Sequence, residues 1–160
     1  MSTPQIRLAR SINLQFMKSA KAIFKQYLRE KRMLLSHQRE EIFDTFMKTR
    51  NHPTVDFLYD VIRKKYPKIG LATVYRTMRI ICDADLARKV DFGDGVRRFE
   101  HKFKRHKHHH LICTKCGRII EVKSPEIERL PKKLASQHDF SATKNTMEIF
   151  GICSSCQSNT

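Results

Sequence analysis

The sequence is short of long apolar runs and short of acid. No stretch approaches the roughly 18 consecutive apolar residues that span a bilayer, and the basic N-terminus lacks the apolar core, about 7 to 15 residues long, of a secretory signal. These absences point away from membrane insertion and export, and toward a cytoplasmic protein. Asp and Glu number 16 against 32 Lys and Arg, a formal charge of +16 over 160 residues. That imbalance calls for a polyanionic partner, nucleic acid or anionic lipid. Cysteine is scarce and odd in number, five in all. Four of the five form two C-x-x-C pairs, which in a reducing compartment read as metal ligation before disulfides.

What is present is unevenly placed. Residues 1–32 carry eight Lys or Arg against the single acid Glu30, and residues 101–110 carry four bases and no acid. Localised charge suits a docking surface; the competing readings are a solvated face or, for the first segment, an organellar transit peptide. Ile12, Phe16, Ala20, Ile23 and Tyr27 recur at helical spacing and form an apolar stripe. Ser36 followed by Arg39, Glu40 and Glu41 predicts an N-cap with acids in the first turn, opening a helix with Ile42, Phe43 and Phe46 inward. Thr54 caps a third helix with Val55, Leu58 and Ile62 on one side, and residues 71–84 form a fourth. Leu86–Asp91 and Val96–Glu100 are short β-type runs flanking Phe92-Gly-Asp-Gly95, a hairpin signal.

Three helices and then a hairpin is the order of a winged helix-turn-helix, whose last helix before the hairpin enters the DNA major groove. With Val74, Met78 and Ile81 inward, Thr73, Tyr75, Arg76 and Arg79 project outward toward bases and phosphates, and Arg39 with the basic N-terminal helix could grip adjacent backbone. Ordinary exposed side chains on a small helical domain are the alternative. The expected organisation is α+β: a basic extension over 1–19, a winged-helix domain over 20–100, a charged linker over 101–107 and a small α/β dimerisation domain over 108–160. In the last, strands at 108–112, 118–122 and 146–152 surround a helix near 125–137. A three-stranded sheet under one helix is marginal alone and needs a metal staple and a second copy of itself.

Cys113 and Cys116 form one knuckle, Cys153 and Cys156 the other. Four thiolates suit tetrahedral Zn²⁺, one per subunit, in a closed shell with no position for catalysis; chance pairs or two disulfides are the alternatives. Cys82 reads as a small apolar residue. Strand alternation sends His108 and His110 to one face, His109 and Cys113 to the other. With His52, Glu100 and Glu121 the His pair would make a nitrogen and oxygen shell suited to Fe²⁺, Mn²⁺ or Zn²⁺. A basic, solvated His run extending the nucleic-acid surface is the competing reading. A metal-dependent nuclease needs a general base in a cleft that nothing in the chain marks, and an RNA-binding zinc-ribbon protein would not sense metal.

Gly70-Leu-Ala-Thr-Val-Tyr-Arg76, the run His108-His-His-Leu-Ile-Cys113, Cys116-Gly117 and Cys153-x-x-Cys156 resemble the ferric uptake regulator family over about residues 20–156. The resemblance implies a homodimeric, metal-dependent repressor that binds operator DNA and takes no small organic substrate. By it, Cys113, Cys116, Cys153 and Cys156 match structural zinc ligands, while His52, Glu100, His108, His110 and Glu121 match the regulatory metal site. Tyr75 and Arg76 match recognition-helix positions, and Arg39 a phosphate-contacting arginine. An accessory site of some members reads here as Lys107, His109, Glu128 and Asn145, leaving only His109 and Glu128 as good ligands. The N-terminal extension exceeds the family norm. The peroxide-sensing branch commonly has Asp where this chain has Glu100, so the Glu favours Fe²⁺-dependent corepression, with peroxide sensing or zinc sensing as the alternatives.

Overall fold

The computed structural model describes residues 4–49, 52–102, 109–143, 145 and 147–158, with side chains of the first helix from residue 17 onward. The chain divides into two compact units, 1–105 and 106–160.

The first unit opens with α1 (Pro4–Glu30), 27 residues long. Its described core-facing residues are Ala20, Phe24 and Leu28, all fully buried, with Met17 and Tyr27 packed partly against them. Of the apolar stripe expected from the sequence, Ala20 belongs to the core and Tyr27 packs partly against it, Ile23 is exposed, and the side chains of Ile12 and Phe16 lie outside the described residues. Phe24 decides the rotation, because its ring stacks on Phe43 of α2 with centroids 4.7 Å apart, a larger contact than Ile23 could make. Arg32 takes the left-handed conformation (φ 54°) that stops the helix, and the Met33 N–H donates back to the Leu28 carbonyl at 2.8 Å.

Ser36 caps α2 (His37–Lys48), its Oγ accepting from the Arg39 N–H at 3.3 Å. The helix buries Ile42, Phe43, Phe46 and Met47. Thr54 caps α3 (Val55–Arg63), which buries Val55, Leu58 and Ile62. Gly70 precedes α4 (Leu71–Asp83), which buries Val74, Thr77, Met78 and Ile81; the Thr77 hydroxyl is satisfied by the Thr73 carbonyl at 2.8 Å. Cys82 is half-buried, and burial pushes its thiol up to about 11. The hairpin pairs β1 (Ala87–Val90) with β2 (Arg98–His101) in antiparallel register, Arg88 opposite Glu100 and Lys89 opposite Phe99. Three helices packed into one core and followed by this hairpin make a winged helix. His101, expected to begin a linker, instead ends β2: its Nε2 lies 2.8 Å from the Phe46 carbonyl and its ring meets Phe46 edge-on.

The second unit is a three-stranded sheet in the order β4-β3-β5. Here β3 (His109–Cys113) pairs antiparallel with β4 (Ile119–Val122) and parallel with β5 (Glu148–Gly151). Ser124 caps α5 (Pro125–Gln137), whose first turn carries Glu126 and Glu128. A one-turn helix that the sequence reading did not anticipate, α6 (Ser154–Gln157), follows Cys153. No residue of α5 or β5 is buried, and Leu111, Ile120, Ile149, Phe150 and Ile152 are exposed. The mixed helix and sheet architecture agrees with the α+β expectation. Among the described residues no helix is long and apolar enough to cross a membrane.

Candidate metal centres and nucleic-acid surface

The two cysteine knuckles meet. Cys113 ends β3, Cys116 follows in the turn at Gly117 (φ 69°), and Cys153 and Cys156 sit at the start and within α6. The parallel β3–β5 pairing is what brings residues so distant in sequence together, with Cys113 opposite Gly151. All four Sγ atoms lie within 4.8 Å of one another, and Cys116 Sγ is 3.7 Å from Cys153 Sγ. Sulfurs held about 2.3 Å from one tetrahedral zinc stand roughly 3.8 Å apart, so the residues fit that ion. The Cys153 N–H donates to Cys113 Sγ at 3.3 Å. That backbone bond is the main reason the Cys113 thiol is drawn down to about 6. The Ser155 hydroxyl lowers Cys153, while hydrogen bonding with the Cys116 thiol pushes Cys156 up to about 12.

In the first unit a second group of metal-competent atoms is buried. His52 sits at φ 47° in the left-handed region, immediately before Pro53. A non-glycine residue pays roughly 1 to 2 kcal/mol to stay there, so the surrounding packing holds the imidazole where it is, with Phe92 edge-on at 5.5 Å. The side chains of His52 and Glu100 are 1% and 2% exposed, and His52 Nε2 lies 3.9 Å from Glu100 Oε2. That gap is too long for a hydrogen bond. Two donors each about 2.1 Å from a common cation stand roughly 3 to 4 Å apart, so the pair fits a shared ion. The same Oε2 accepts from Arg88 Nε and lies 3.0 Å from Arg88 Nη2. Arg88 carries no signal in the sequence reading; only the strand register puts it opposite Glu100.

In the second unit His110 is buried opposite Glu121 across the β3–β4 pair. His108 lies outside the described residues, as does Lys107. His109 is buried, and neither ring nitrogen has a hydrogen-bond partner among the described residues. Glu128 and Asn145 line one cavity of the second unit together with Lys132.

The outward side of α4 carries Tyr75, Arg76 and Arg79, all exposed, and Thr73, half-buried with Arg76 Nη2 3.4 Å from its Oγ1. Tyr75, Arg76 and Arg79 line a groove of about 730 Å³ whose other wall is the hairpin, with Lys89, Val96 and Arg97, and whose floor includes Thr54 and Asp56. Lys89 and Arg97 were not singled out from the sequence; an alternating strand that sends Lys89 away from Arg88 was the available signal. The hairpin tip is braced by Arg98, whose Nη1 and Nη2 donate to the two Asp94 carboxylate oxygens at 2.8 and 2.6 Å. Arg98 holds the Asp94 carboxyl down to about 2. Arg39 does not line the groove: its guanidinium donates to the Leu34 carbonyl in the turn between α1 and α2.

The sequence pattern of the ferric uptake regulator family matches residues 30–150. The peroxide-responsive repressor PerR of Staphylococcus epidermidis is 32% identical over 130 residues, covering 81% of this chain and 85% of the repressor. In structure the chain is similar to the Helicobacter pylori ferric uptake regulator Fur (TM-score 0.82, 26% identity, 88% of this chain and 93% of that one). It is also similar to a zinc-bound manganese uptake regulator (TM-score 0.67, 35% identity, 81% of this chain and 98% of that one).

Proposed function

The chain belongs to the ferric uptake regulator family of metal-dependent transcriptional repressors, and from that premise we propose that it is a cytoplasmic, homodimeric, Fe²⁺-responsive repressor of genes for iron homeostasis. The observation that carries the sensing step is the buried His52–Glu100 pair, two metal-competent donors 3.9 Å apart in the same unit as the α4 groove. His52 and Glu100, together with His108, His110 and Glu121 of the second unit, would hold the regulatory ion. When bound, the cation supplies positive charge that neutralises the carboxylates and ties their segments to one point. A hundredfold preference of the ion for the DNA-competent arrangement shifts that equilibrium by about 2.7 kcal/mol.

Tyr75, Arg76 and Thr73 read base edges, while Arg79, Lys89 and Arg97 hold phosphates. Arg39, engaged with the Leu34 carbonyl, fixes the turn into α2 and presents its remaining N–H groups to the DNA backbone. The four cysteines hold structural zinc, and the exposed apolar face of the sheet, centred on Leu111, Ile120 and Ile149, meets a second copy. The Helicobacter pylori regulator has three functional metal binding sites. Here the third has only His109 and Glu128 as good ligands, and Lys132 beside Glu128 opposes a cation. Membership of a family of transcriptional regulators supports a role without enzymatic activity.

Peroxide sensing is the second reading, favoured by the similarity to the Staphylococcus epidermidis repressor. Mass spectrometry of the Fe²⁺ form after peroxide separates the two: no oxidised His52 or His108 supports iron-dependent corepression, and a mass gain of one oxygen on either contradicts it. The regulatory assignment is tested by operator binding of His52→Ala with and without Fe²⁺. Loss of the metal-dependent increment supports it, and an unchanged increment refutes it.

A further inference from the structure

Glu100 is 2% exposed, and a carboxylate taken that far out of water needs a cation against it. Among the described residues of the first unit Arg88 is such a cation. Antiparallel register sets Arg88 directly across the hairpin from Glu100, and Nε and Nη2 both come within 3.0 Å of Oε2. Oε2 is also the oxygen that faces His52 Nε2 across 3.9 Å. A guanidinium on Oε2 and a cation shared with His52 would therefore meet at the same carboxylate oxygen, each weakening the other's hold on it. The two partners are unequally placed for that competition: the Glu100 side chain is sealed in, whereas Arg88 is 36% exposed. Its long stem can turn the charge into water at little cost.

We infer that Arg88 is a built-in counter-cation that holds Glu100 in the metal-free state and is exchanged for the regulatory metal, so that it sets the concentration at which the sensor fills. This rests on Glu100 being a ligand of that metal, as proposed above. The exchange keeps the buried carboxylate neutralised in both states. It also weakens metal binding by the cost of breaking a two-donor, charge-assisted contact, which keeps the affinity below what His and carboxylate ligands alone would give. The opposite role is a guanidinium that stays in place and aims the carboxylate at the metal, as outer partners of metal ligands commonly do. The two roles predict opposite signs on mutation.

Calorimetric titration of Mn²⁺ into the full-length protein distinguishes them, using wild type, Arg88→Met, Glu100→Gln and the double variant, with Lys68→Met, at an exposed lysine elsewhere in the first unit, as a charge-matched control. We expect Arg88→Met to bind Mn²⁺ about tenfold more tightly than wild type, Lys68→Met to change affinity less than twofold, and the Arg88→Met gain to vanish when Glu100 is Gln. Unchanged or weaker binding by Arg88→Met overturns the exchange role. Glu100→Gln binding Mn²⁺ as tightly as wild type shows instead that Glu100 is not a ligand, and the inference falls with that assignment. If Arg88→Met does not fold, Arg88→Lys keeps the charge but loses the paired donors. It is expected to bind Mn²⁺ more tightly than wild type, and equal or weaker binding overturns the exchange role.

Discussion

Replacing Lys89 and Arg97 with Ala removes two of the four cations lining the groove beside α4 and leaves Arg76 and Arg79 in place. In a dimer the change removes four phosphate-directed charges. Each phosphate contact on duplex DNA contributes about 0.9 to the slope of log affinity against log salt, so the double variant should flatten that slope by about 3.6 if all four contacts are made. Because the electrostatic term fades near 1 M salt, the loss at 0.1 M salt amounts to roughly four-thousandfold in affinity. Fluorescence anisotropy on an operator duplex and on a shuffled duplex, from 50 to 300 mM salt, reads both quantities. The loss should be the same on the two duplexes, since phosphates carry no sequence information. Arg76→Ala should instead shrink the gap between the duplexes, by about 1 to 3 kcal/mol per half-site. A double variant whose slope matches wild type, or whose loss is confined to the operator, would refute the assignment of the hairpin as a phosphate clamp.

Other expectations follow from the packing and the metal chemistry. Phe24→Ala, at a fully buried ring stacked on Phe43, should cost about 3 to 5 kcal/mol in urea unfolding, while Ile23→Ala on the exposed side of α1 should cost less than about 1; equal costs would contradict the observed rotation of the helix. Metal analysis should find one zinc per chain, absent in Cys116→Ser, and the loss should unfold the second unit, because structural zinc contributes on the order of 10 kcal/mol to small domains. A zinc-free Cys116→Ser with an intact second unit by amide exchange would argue against the staple. Arg98 depresses the Asp94 carboxyl to about 2, so the stability it contributes is fully present above the ordinary carboxylate value near 4 and is lost as pH falls toward 2. Asp94 is partly exposed, which limits the contribution to about 0.5 to 1 kcal/mol. The thermal stabilities of wild type and Asp94→Asn should therefore differ at pH 6, draw together as pH falls below about 4 and converge only below about pH 2, and a gap that widens in acid would disprove the pairing.

Much of the architecture was legible because it is local. Ser36 and Thr54 cap helices with their own side chains, and Val74, Met78 and Ile81 repeat at a spacing that leaves one face of α4 for the core. The cysteine knuckles announce themselves by spacing. Features that depend on register or tertiary choice were not legible. The stripe read on α1 included Ile23 and left out Phe24 and Leu28, and the stacking of Phe24 on Phe43 is what turns those two into the core. The second strand of the hairpin begins at Arg98, two residues later than expected, because Asp94 accepts from the Val96 N–H at 3.0 Å and clamps Arg98, which uses Val96 and Arg97 in the turn. That shift sets the register and places Arg88 against Glu100. The helix α6 is too short to leave a periodic signal.

Binding of an operator duplex by the full-length protein, with its structural zinc retained and the labile ion first removed by a mild chelator and then restored as Fe²⁺ without oxygen, bears most directly on the central claim. Restoring Fe²⁺ should tighten operator binding by about a hundredfold in wild type and leave the Glu100→Gln variant at its weak, metal-free affinity. Equal operator affinity in the stripped and reloaded wild-type protein would contradict it.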